Sequence, residues 1–508
     1  MNLLPCSKLI SNVLLTVTLS ILMLAVRCHA VAGDMIDVDL KSTIVSSFQG
    51  IGIQWDPYSY QPAPKEWKLI LARLDRCKPG YFRVCHSANS YCLGFDDKGN
   101  PIYVWDESRK SNKEAARSLD QLYAILDYAQ SRNVDVILGE WGPPRVGSVQ
   151  LGSEDPRWGR IMADFIKHLI QVKRYTVIKY INYVNEPNGD WSGNKSYGTW
   201  TQGIKYLHKE LKARELDKWV HIIGPDTTGN TDWMEPFTWL DLVAKDIPGM
   251  IGAYDLHWYA QDKEVLEGKM ETLLREKREW VLKTDPDARN KPMFMGESGL
   301  ITGRVNGDQQ PRVRSFEYGV MMADYTAQVG RAGWMGVMAW DCDDAMHTNK
   351  EHIPVPNDLT LKLWGFWNTQ GSMMGKPEEE LPRPWFYTWT LMSRLFPRGS
   401  IIVKAGSPEM PRFRVLVGTD AGHKQISMML VNNADENRTV TVKVPGFKTT
   451  RLSRYNYFDN DRPVGPDNIP LPKEPMLRAN LEQGVQVTLP SRGVVFLTNK
   501  EISLKDNH

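Results

Sequence analysis

The chain has 508 residues, which exceeds the usual size of one domain and predicts a large domain with a smaller one. It is 42% hydrophobic and 24% charged, values that are ordinary for a soluble globular enzyme. The formal net charge of +2 argues against nucleic acid or an anionic membrane as the main partner. The 18 Trp and 19 Tyr residues offer flat faces for stacking on sugar rings, although a large core would also use them.

The first 30 residues differ from the rest of the chain. Lys8 precedes an apolar stretch from Leu9 to Val26, and small residues follow, a pattern typical of a secretory signal peptide. We expect cleavage near Val31 or Gly33 and a secreted protein, extracellular or periplasmic. The stretch is also long enough for an uncleaved anchor, in which case the chain would contact a membrane.

Four cysteines follow the leader. Cys77, Cys85 and Cys92 are close in sequence, and Cys342 is distant. In an oxidising compartment we expect a disulfide among the first three, with the connectivity left open. The spacing of zinc ligands is not found, so we predict no metal and no cofactor.

From about residue 50, short β-rich apolar runs alternate with longer amphipathic segments. Eight strands each followed by a helix predict an α/β fold, a (β/α)8 TIM barrel over residues 45–395. A doubly wound sheet is disfavoured because no Gly-rich phosphate loop follows the first strand. The predicted strands are Gly50–Trp55, Tyr81–Cys85, Val134–Glu140, Lys179–Glu186, Val220–Asp226, Ala253–Tyr259, Pro292–Ser298 and Gly333–Asp341. Helices are predicted over Asn112–Gln130, after Asp155-Pro156, and over 199–217, 265–283, 313–330 and 384–396.

Beyond residue 395 the pattern changes to short alternating strands separated by turn residues, which predicts a C-terminal β-sandwich over 396–508. The stretch 33–48 is also β-like and could pair with this domain. The predicted strands are Arg412–Gly418, Gln425–Asn432, Thr439–Val444, Gly484–Leu489 and Gly493–Thr498.

Reactive side chains occur where the predicted barrel strands end, and active sites of (β/α)8 enzymes lie at that face. They are Arg83 on strand two, Glu140 and Trp141 on strand three, Asn185 and Glu186 on strand four, His257 and Tyr259 on strand six, Glu297 on strand seven and Trp340 on strand eight.

Glu186 and Glu297 are the candidate catalytic pair. Each follows an apolar run, in Tyr-Val-Asn-Glu-Pro at 183–187 and Phe-Met-Gly-Glu-Ser at 294–298. Their separation of 111 residues equals three βα units of about 37, so the two acids should face each other across the barrel. Two carboxylates about 5–5.5 Å apart suit a retaining glycosidase, with one attacking the anomeric carbon and the other protonating the departing oxygen.

On these residues the chain resembles the clan A glycoside hydrolases over roughly residues 45–395. The resemblance implies that Glu186 is the acid/base and Glu297 the nucleophile. It further implies that Asn185 binds the sugar 2-hydroxyl, and that Arg83 and Tyr259 orient Glu297. By the same resemblance His257 lines the site and Trp340 forms its floor. The sandwich and the sequence Phe-Gln-Gly-Ile-Gly at 48–52 most resemble families 30 and 39 of that clan.

The predicted function is hydrolysis of a β-linked oligosaccharide, polysaccharide or glycoside through a covalent intermediate, with exo action favoured by long loops at 90–111, 142–155 and 342–382. A non-catalytic carbohydrate-binding protein and a metal-dependent hydrolase are the alternatives. The first is disfavoured because both carboxylates are present, and the second because grouped His and Asp are not seen at strand ends. Trp55, Trp141 and Trp191 are candidate sugar platforms. Asp341, Asp343 and Asp344, with His347, form either a sugar-binding cluster or a solvated loop.

Overall fold

The computed structural model describes residues 34–105, 112–305, 308–347, 363–406 and 410–502. The predicted signal peptide, residues 1–30, lies outside these ranges. Within them, no helix has both the length and the apolar character needed to cross a membrane.

Eight parallel strands close into a barrel, which confirms the predicted (β/α)8 fold. Each strand pairs with the next along the chain, and the eighth pairs with the first, Gly336 opposite Gly50. In this closed order the fourth and seventh strands are three strands apart around the mouth. The barrel strands are Gly50–Gln54, Tyr81–Cys85, Asp135–Gly139, Ile178–Asn182, His221–Thr227, Ala253–Ala260, Met293–Leu300 and Gly336–Ala339.

Helices surround the barrel, and two of them begin at residues whose side chains cap the helix. Asn112 Oδ1 accepts from the Ala115 N–H at 3.1 Å, and Asp155 Oδ1 accepts from the Arg157 N–H at 2.9 Å, next to Pro156 in the first helical turn. The helices are Pro64–Cys77, Lys113–Arg132, Pro156–Lys167, Tyr197–Ala213, Phe237–Asp246, Asp262–Leu266, Lys269–Thr284, Phe316–Arg331 and Pro384–Leu395. The first and the fifth of these were not predicted.

The fourth barrel strand ends at Asn182, before the predicted end at Glu186. Glu186 has a φ of 48°, in the left-handed region that residues other than glycine adopt only rarely. Asp226, in the neighbouring fifth strand, has a φ of 60°. Two acidic residues therefore sit in left-handed backbone at adjacent strand ends, where strained residues often mark a functional site.

The C-terminal domain is built on a mixed nine-stranded sheet with its own apolar core, in agreement with the predicted β-sandwich. The N-terminal strand Asp34–Val45 lies inside this sheet, antiparallel to Ile401–Gly406 and parallel to Arg438–Lys443. The sheet order is Glu474–Asn480, Thr449–Tyr457, Gly493–Thr498, Ile426–Asn432, Phe413–Thr419, Ile401–Gly406, Asp34–Val45, Arg438–Lys443 and Val485–Leu489.

This sheet alternates between two cores with the period of two that a strand imposes. Val415 and Val417 belong to the domain's own core, whereas Leu416 joins the barrel core. Leu416 packs on the helix Phe316–Arg331, where a Cβ at Gly330 would lie 2.9 Å from its Cδ1. The helix side of the barrel and the sheet therefore share a packed interface.

The predicted disulfide is not formed: Cys77, Cys85, Cys92 and Cys342 are all buried and outside any disulfide. Cys77 ends a helix and lies by Thr390 and Ser393, whereas Cys85 is on a barrel strand and Cys92 on a surface hairpin. The prediction was wrong because the three residues, although close in sequence, lie on different elements: a helix end, a barrel strand and a hairpin.

Two hairpins rise from the loops after the second and third barrel strands. Cys92–Phe95 pairs with Pro101–Tyr103, and Arg145–Val146 pairs with Val149–Gln150. They pack against each other closely, since a Cβ at Gly147 would lie 3.0 Å from the Leu93 carbonyl oxygen. They build one wall on the C-terminal side of the barrel.

Candidate active site

Glu186 and Glu297 face each other at the mouth of the barrel. One carboxylate oxygen of each, together with a His257 ring nitrogen, forms a group whose atoms all lie within 4.8 Å of one another. Glu297 is buried in the seventh strand, and the Glu186 side chain is 12% exposed. The two carboxyl groups can thus act on the same small volume, with only Glu186 reaching toward solvent.

Glu297 is held by donors on both oxygens. Arg83 Nη1 donates to Oε1 at 2.6 Å, and the Tyr259 hydroxyl donates to Oε2 at 2.5 Å. Burial raises the pKa of Glu297, His257 and Arg83 lower it, and nearby Glu186 raises it again, so that the pKa stands at about 7. The donors orient the carboxylate and favour the ionised form that a nucleophile needs.

Glu186 is also fixed at both oxygens. His257 Nδ1 lies 3.0 Å from Oε1, and Trp191 Nε1 donates to Oε2 at 2.8 Å. Its backbone N–H donates to the Asp226 carbonyl at 3.1 Å, which locks the turn after the fourth strand. The structure therefore brings Glu186 into the same cluster as His257, Tyr259, Arg83 and Glu297.

His257 is the bridge of this cluster. Nδ1 is 3.0 Å from Glu186 Oε1 and 3.4 Å from Glu297 Oε2, and Nε2 is 3.1 Å from Asp226 Oδ1. Burial alone would lower its pKa, but Glu297 and Asp226 raise the pKa of His257 to about 10. At neutral pH an imidazolium therefore donates to carboxylates on either side.

Asp226 belongs to the site although the sequence did not single it out. It is fully buried and accepts from Arg83 Nη2 at 2.6 Å and from Asn182 Nδ2 at 2.5 Å. Arg83 and His257 hold its pKa below the usual range. Its place in the predicted strand Val220–Asp226 was a usable signal, the same strand-end rule that found Glu297.

Asn185 is oriented by the same arginine. Arg83 Nη2 donates to Asn185 Oδ1 at 2.6 Å, and Arg83 Nη1 also donates to Gln54 Oε1 at 3.0 Å. Because Oδ1 accepts from Arg83, the amide nitrogen of Asn185 is the group that would meet a substrate hydroxyl.

Trp340 and Trp141 meet next to the site. Trp340 follows the eighth strand. Its backbone N–H donates to the backbone carbonyl of Ser298, the residue after Glu297, at 3.3 Å. Trp141 packs edge-on against it, with ring centroids 6.1 Å apart, and His347 stacks on Trp340 at 5.3 Å. These three rings form an aromatic wall on the side of strands three and eight.

Glu140 takes a different position from the catalytic pair. Its carboxyl accepts from the Tyr91 hydroxyl and from the Ala88 N–H, both in the loop after the second strand. Burial raises the pKa of Glu140 to about 8. This effect is larger than the opposite effect of the two hydrogen bonds, which lower the pKa. These contacts hold that loop in place, and the role of Glu140 in substrate binding stays a prediction.

Two other sequence hypotheses are corrected. Trp55 is fully buried against Trp67 and Phe82, so it is a core residue and not a sugar platform. The cluster at 341–344 is buried rather than solvated: Asp343 accepts from Tyr58 at 3.1 Å, and Asp344 accepts from Arg383 at 2.6 Å. These acids anchor the loop that follows the eighth strand.

Within the described part of the chain, acid and histidine atoms come close enough to share a cation in two groups, Glu186 with His257 and Glu297, and Asp226 with Asp255 and His257. Arg83 donates into both groups, to Glu297 and to Asp226. A divalent cation would be repelled by that guanidinium and by a protonated His257. The carboxylates are better matched to these two protein cations than to a metal ion.

No family model and no curated protein sequence matches the chain. Its fold is similar to several solved glycoside hydrolase structures. A GH30 endoxylanase from Clostridium papyrosolvens C71 superposes with a TM-score of 0.59 at 10% identity, covering 92% of this chain and 100% of that one. A GH39 β-xylosidase from Caulobacter crescentus gives 0.58 at 16%, with coverage of 92% and 100%. A GH51 α-L-arabinofuranosidase from Thermotoga petrophila RKU-1 gives 0.62 at 13%, with the same coverage. The chain thus shares the complete two-domain fold of these clan A glycoside hydrolase structures.

Proposed function

We propose that the protein is a retaining glycoside hydrolase in which Glu297 is the nucleophile and Glu186 the acid/base. The carrying observation is that Glu186 and Glu297 present carboxylate oxygens within 4.8 Å of each other. An inverting enzyme needs about 6.5–9.5 Å between its carboxyl groups to admit a water molecule. The short separation supports direct attack by a carboxylate and hence retention.

The surrounding contacts support the two roles. Glu297, held by Arg83 and Tyr259, attacks the anomeric carbon, and Glu186 gives its proton to the departing oxygen. In the second step Glu186 takes a proton from water, which attacks the same carbon, and the bond to Glu297 breaks with its electrons returning to the carboxylate. His257 stabilises whichever of the two carboxylates is charged at each stage.

We propose β-linked glycans or glycosides as substrates, cleaved from the chain end. The similar structures are named as an endoxylanase, a β-xylosidase and an α-L-arabinofuranosidase, so pentosides belong in the first panel. Exo action is supported by the paired hairpins Cys92–Tyr103 and Arg145–Gln150, which raise a wall beside the barrel mouth. Release of a monosaccharide as the first product from an oligosaccharide would test this point; longer first products would contradict it.

The decisive experiment assays aryl β-glycosides with wild type, Glu186→Ala and Glu297→Ala, each with and without azide. Azide should rescue Glu186→Ala to give a β-glycosyl azide of retained configuration, because the covalent intermediate still forms. With Glu297→Ala it should give the inverted α-azide, because azide replaces the nucleophile. Full activity of both variants would refute the assignment, and saccharide binding without cleavage by wild type would favour the carbohydrate-binding alternative.

A further inference from the structure

Two exposed tryptophans lie beside Glu186. Trp191 is 55% exposed and Trp233 is 41% exposed. Their rings are nearly parallel, with centroids 5.8 Å apart and planes at 18°. Trp191 Nε1 donates to Glu186 Oε2 at 2.8 Å, which ties the pair to the proposed acid/base. Adjacent exposed aromatic rings at the mouth of a site commonly mark a binding surface.

The turn that carries Trp233 is held rigidly. The Asn230 N–H donates to the Trp233 carbonyl at 2.9 Å, and the Thr231 N–H donates to Glu264 Oε1 at 3.0 Å. Glu264 is fully buried and also accepts from the Gln261 N–H at 2.6 Å. A buried carboxylate that binds a surface turn fixes its backbone, so Trp233 is presented in a preformed position.

The position of Trp191, on the turn after the fourth strand, is also fixed by close packing. A Cβ at Gly189 would lie 2.4 Å from the Trp191 ring, so residue 189 has to remain a glycine for the ring to occupy this position. The indole N–H is already used by Glu186. The face of the ring, rather than its polar edge, is therefore the surface offered to a ligand.

We propose that Trp191 and Trp233 form the binding site for a sugar ring in the leaving group. A general acid has to lie within hydrogen-bond reach of the departing oxygen, so the group carrying that oxygen sits beside Glu186, where these rings are. The apolar face of a sugar ring stacks on an indole face. Asp232, the residue before Trp233, pairs with Lys263 at 2.8 Å, and both side chains are exposed and can bond to hydroxyl groups.

This inference rests on the proposed function and narrows its substrates to glycosides in which a second sugar ring departs. It also implies that saccharides bind there as acceptors for the glycosyl-enzyme. In that step an acceptor hydroxyl oxygen attacks the anomeric carbon and Glu186 takes the hydroxyl proton. The bond to Glu297 breaks and its electron pair returns to the carboxylate.

The test uses a trapped glycosyl-enzyme. Wild type is inactivated with the 2,4-dinitrophenyl 2-deoxy-2-fluoro-β-glycoside of its best panel sugar, and its reactivation is followed with xylobiose, cellobiose or azide. In Trp233→Ala, reactivation by disaccharide relative to reactivation by azide should fall by about tenfold. Trp191→Phe, which keeps a ring but loses the N–H, should retain more of the disaccharide effect than Trp191→Ala.

Trp219→Ala and Trp280→Ala are matched controls, since these tryptophans are 55% and 43% exposed. Both lie away from the mouth: Trp219 precedes the fifth strand, and Trp280 is on the helix Lys269–Thr284. Both should keep the wild-type ratio. If Trp233→Ala is trapped and its reactivation by disaccharide relative to azide equals that of wild type, the platform is refuted and the proposed function is not. Failure of wild type to form any glycosyl-enzyme, judged by intact mass, would overturn the proposed function and the platform with it. Trp233→Leu provides a second variant if Trp233→Ala does not fold.

Discussion

Arg83 and Asp226 form an ion pair in which both side chains are fully buried, with Nη2 2.6 Å from Oδ2. The same aspartate accepts from His257, and the same arginine donates to Glu297. Asp226 thus balances the two cations that hold the carboxylates of Glu186 and Glu297. We regard it as a positioning residue, because its contacts reach Glu186 and Glu297 through Arg83 and His257.

Asp226→Asn should destabilise the protein by about 3–5 kcal/mol, because buried Arg83 loses one of its two carboxylate partners and keeps only Glu297. It should also lower the pKa of His257 below about 10, since Asp226 is one of the groups that raise it. Protonated His257 stabilises the fold fully below about pH 6.5, and this stabilisation is lost as the pH rises through about 10. In Asp226→Asn it should be lost at a lower pH than in wild type. Urea unfolding and NMR titration of the imidazole measure the two effects.

Asp255→Asn is the matched control for that variant. Burial and the neighbouring Asp226 raise the pKa of Asp255 well above its usual value, which favours the neutral carboxyl. An asparagine has the same shape and charge, and its side-chain oxygen can keep accepting the Asp226 N–H, now at 3.0 Å. We expect a change below about 1 kcal/mol. Equal losses of stability in both variants would show that the negative charge of Asp226 does not explain the loss.

Tyr259→Phe should shift the acid limb of the kcat/KM profile to higher pH. The Tyr259 hydroxyl lowers the pKa of Glu297, so its loss raises that pKa above about 7 and leaves less of the ionised nucleophile. Loss of a hydrogen bond to a charged group predicts a fall of about 10- to 100-fold at pH 6, and less at pH 8. Tyr183→Phe is the control, since Tyr183 donates to the Ser153 carbonyl at 2.7 Å and is buried away from the pair. An unmoved limb in Tyr259→Phe would contradict the role of this hydroxyl.

His86 should make the fold less stable in acid. Burial lowers its pKa to about 4, whereas an unfolded histidine titrates near 6.5. The unfolded chain therefore binds a proton that the folded chain refuses, and stability should fall by about 3 kcal/mol as the pH drops from about 6.5 to 4. His86→Phe keeps the stacking on Tyr91 and Phe165 and should remove this slope. Urea unfolding at several pH values checks it; the exposed His221→Phe should leave the slope unchanged.

Arg383→Met should destabilise the protein by about 3–5 kcal/mol, because Arg383 Nη2 pairs with buried Asp344 at 2.6 Å. Asp344 also accepts from the Trp364 N–H at 2.9 Å, and the Trp364 ring touches Tyr259 with centroids 5.2 Å apart. The double variant with Asp344→Asn should recover part of the loss, since no uncompensated charge remains. A thermal unfolding cycle measures the coupling, and additive losses would contradict a direct pair.

Local patterns in the sequence were sufficient to predict the barrel and to place Glu186 and Glu297 where its strands end. The alternation of apolar runs and amphipathic segments is a short-range property, and strand ends follow directly from it. Glu186 and Glu297 could therefore be assigned to strands four and seven, and the closed order of the barrel then brings them together. Arg83, His257 and Tyr259 were found by the same reasoning.

The tertiary structure alone decided how those side chains are connected. The bridging position of His257, the buried pair of Arg83 and Asp226, and the indole N–H of Trp191 on Glu186 depend on side-chain directions after bends in the chain. The absence of a disulfide among the described cysteines and the inward-facing Asp344 have the same origin. Sequence spacing fixes which strand a residue ends, but not which distant residue shares its hydrogen bonds, because burial and backbone angles such as the φ of Glu186 arise only when the barrel closes.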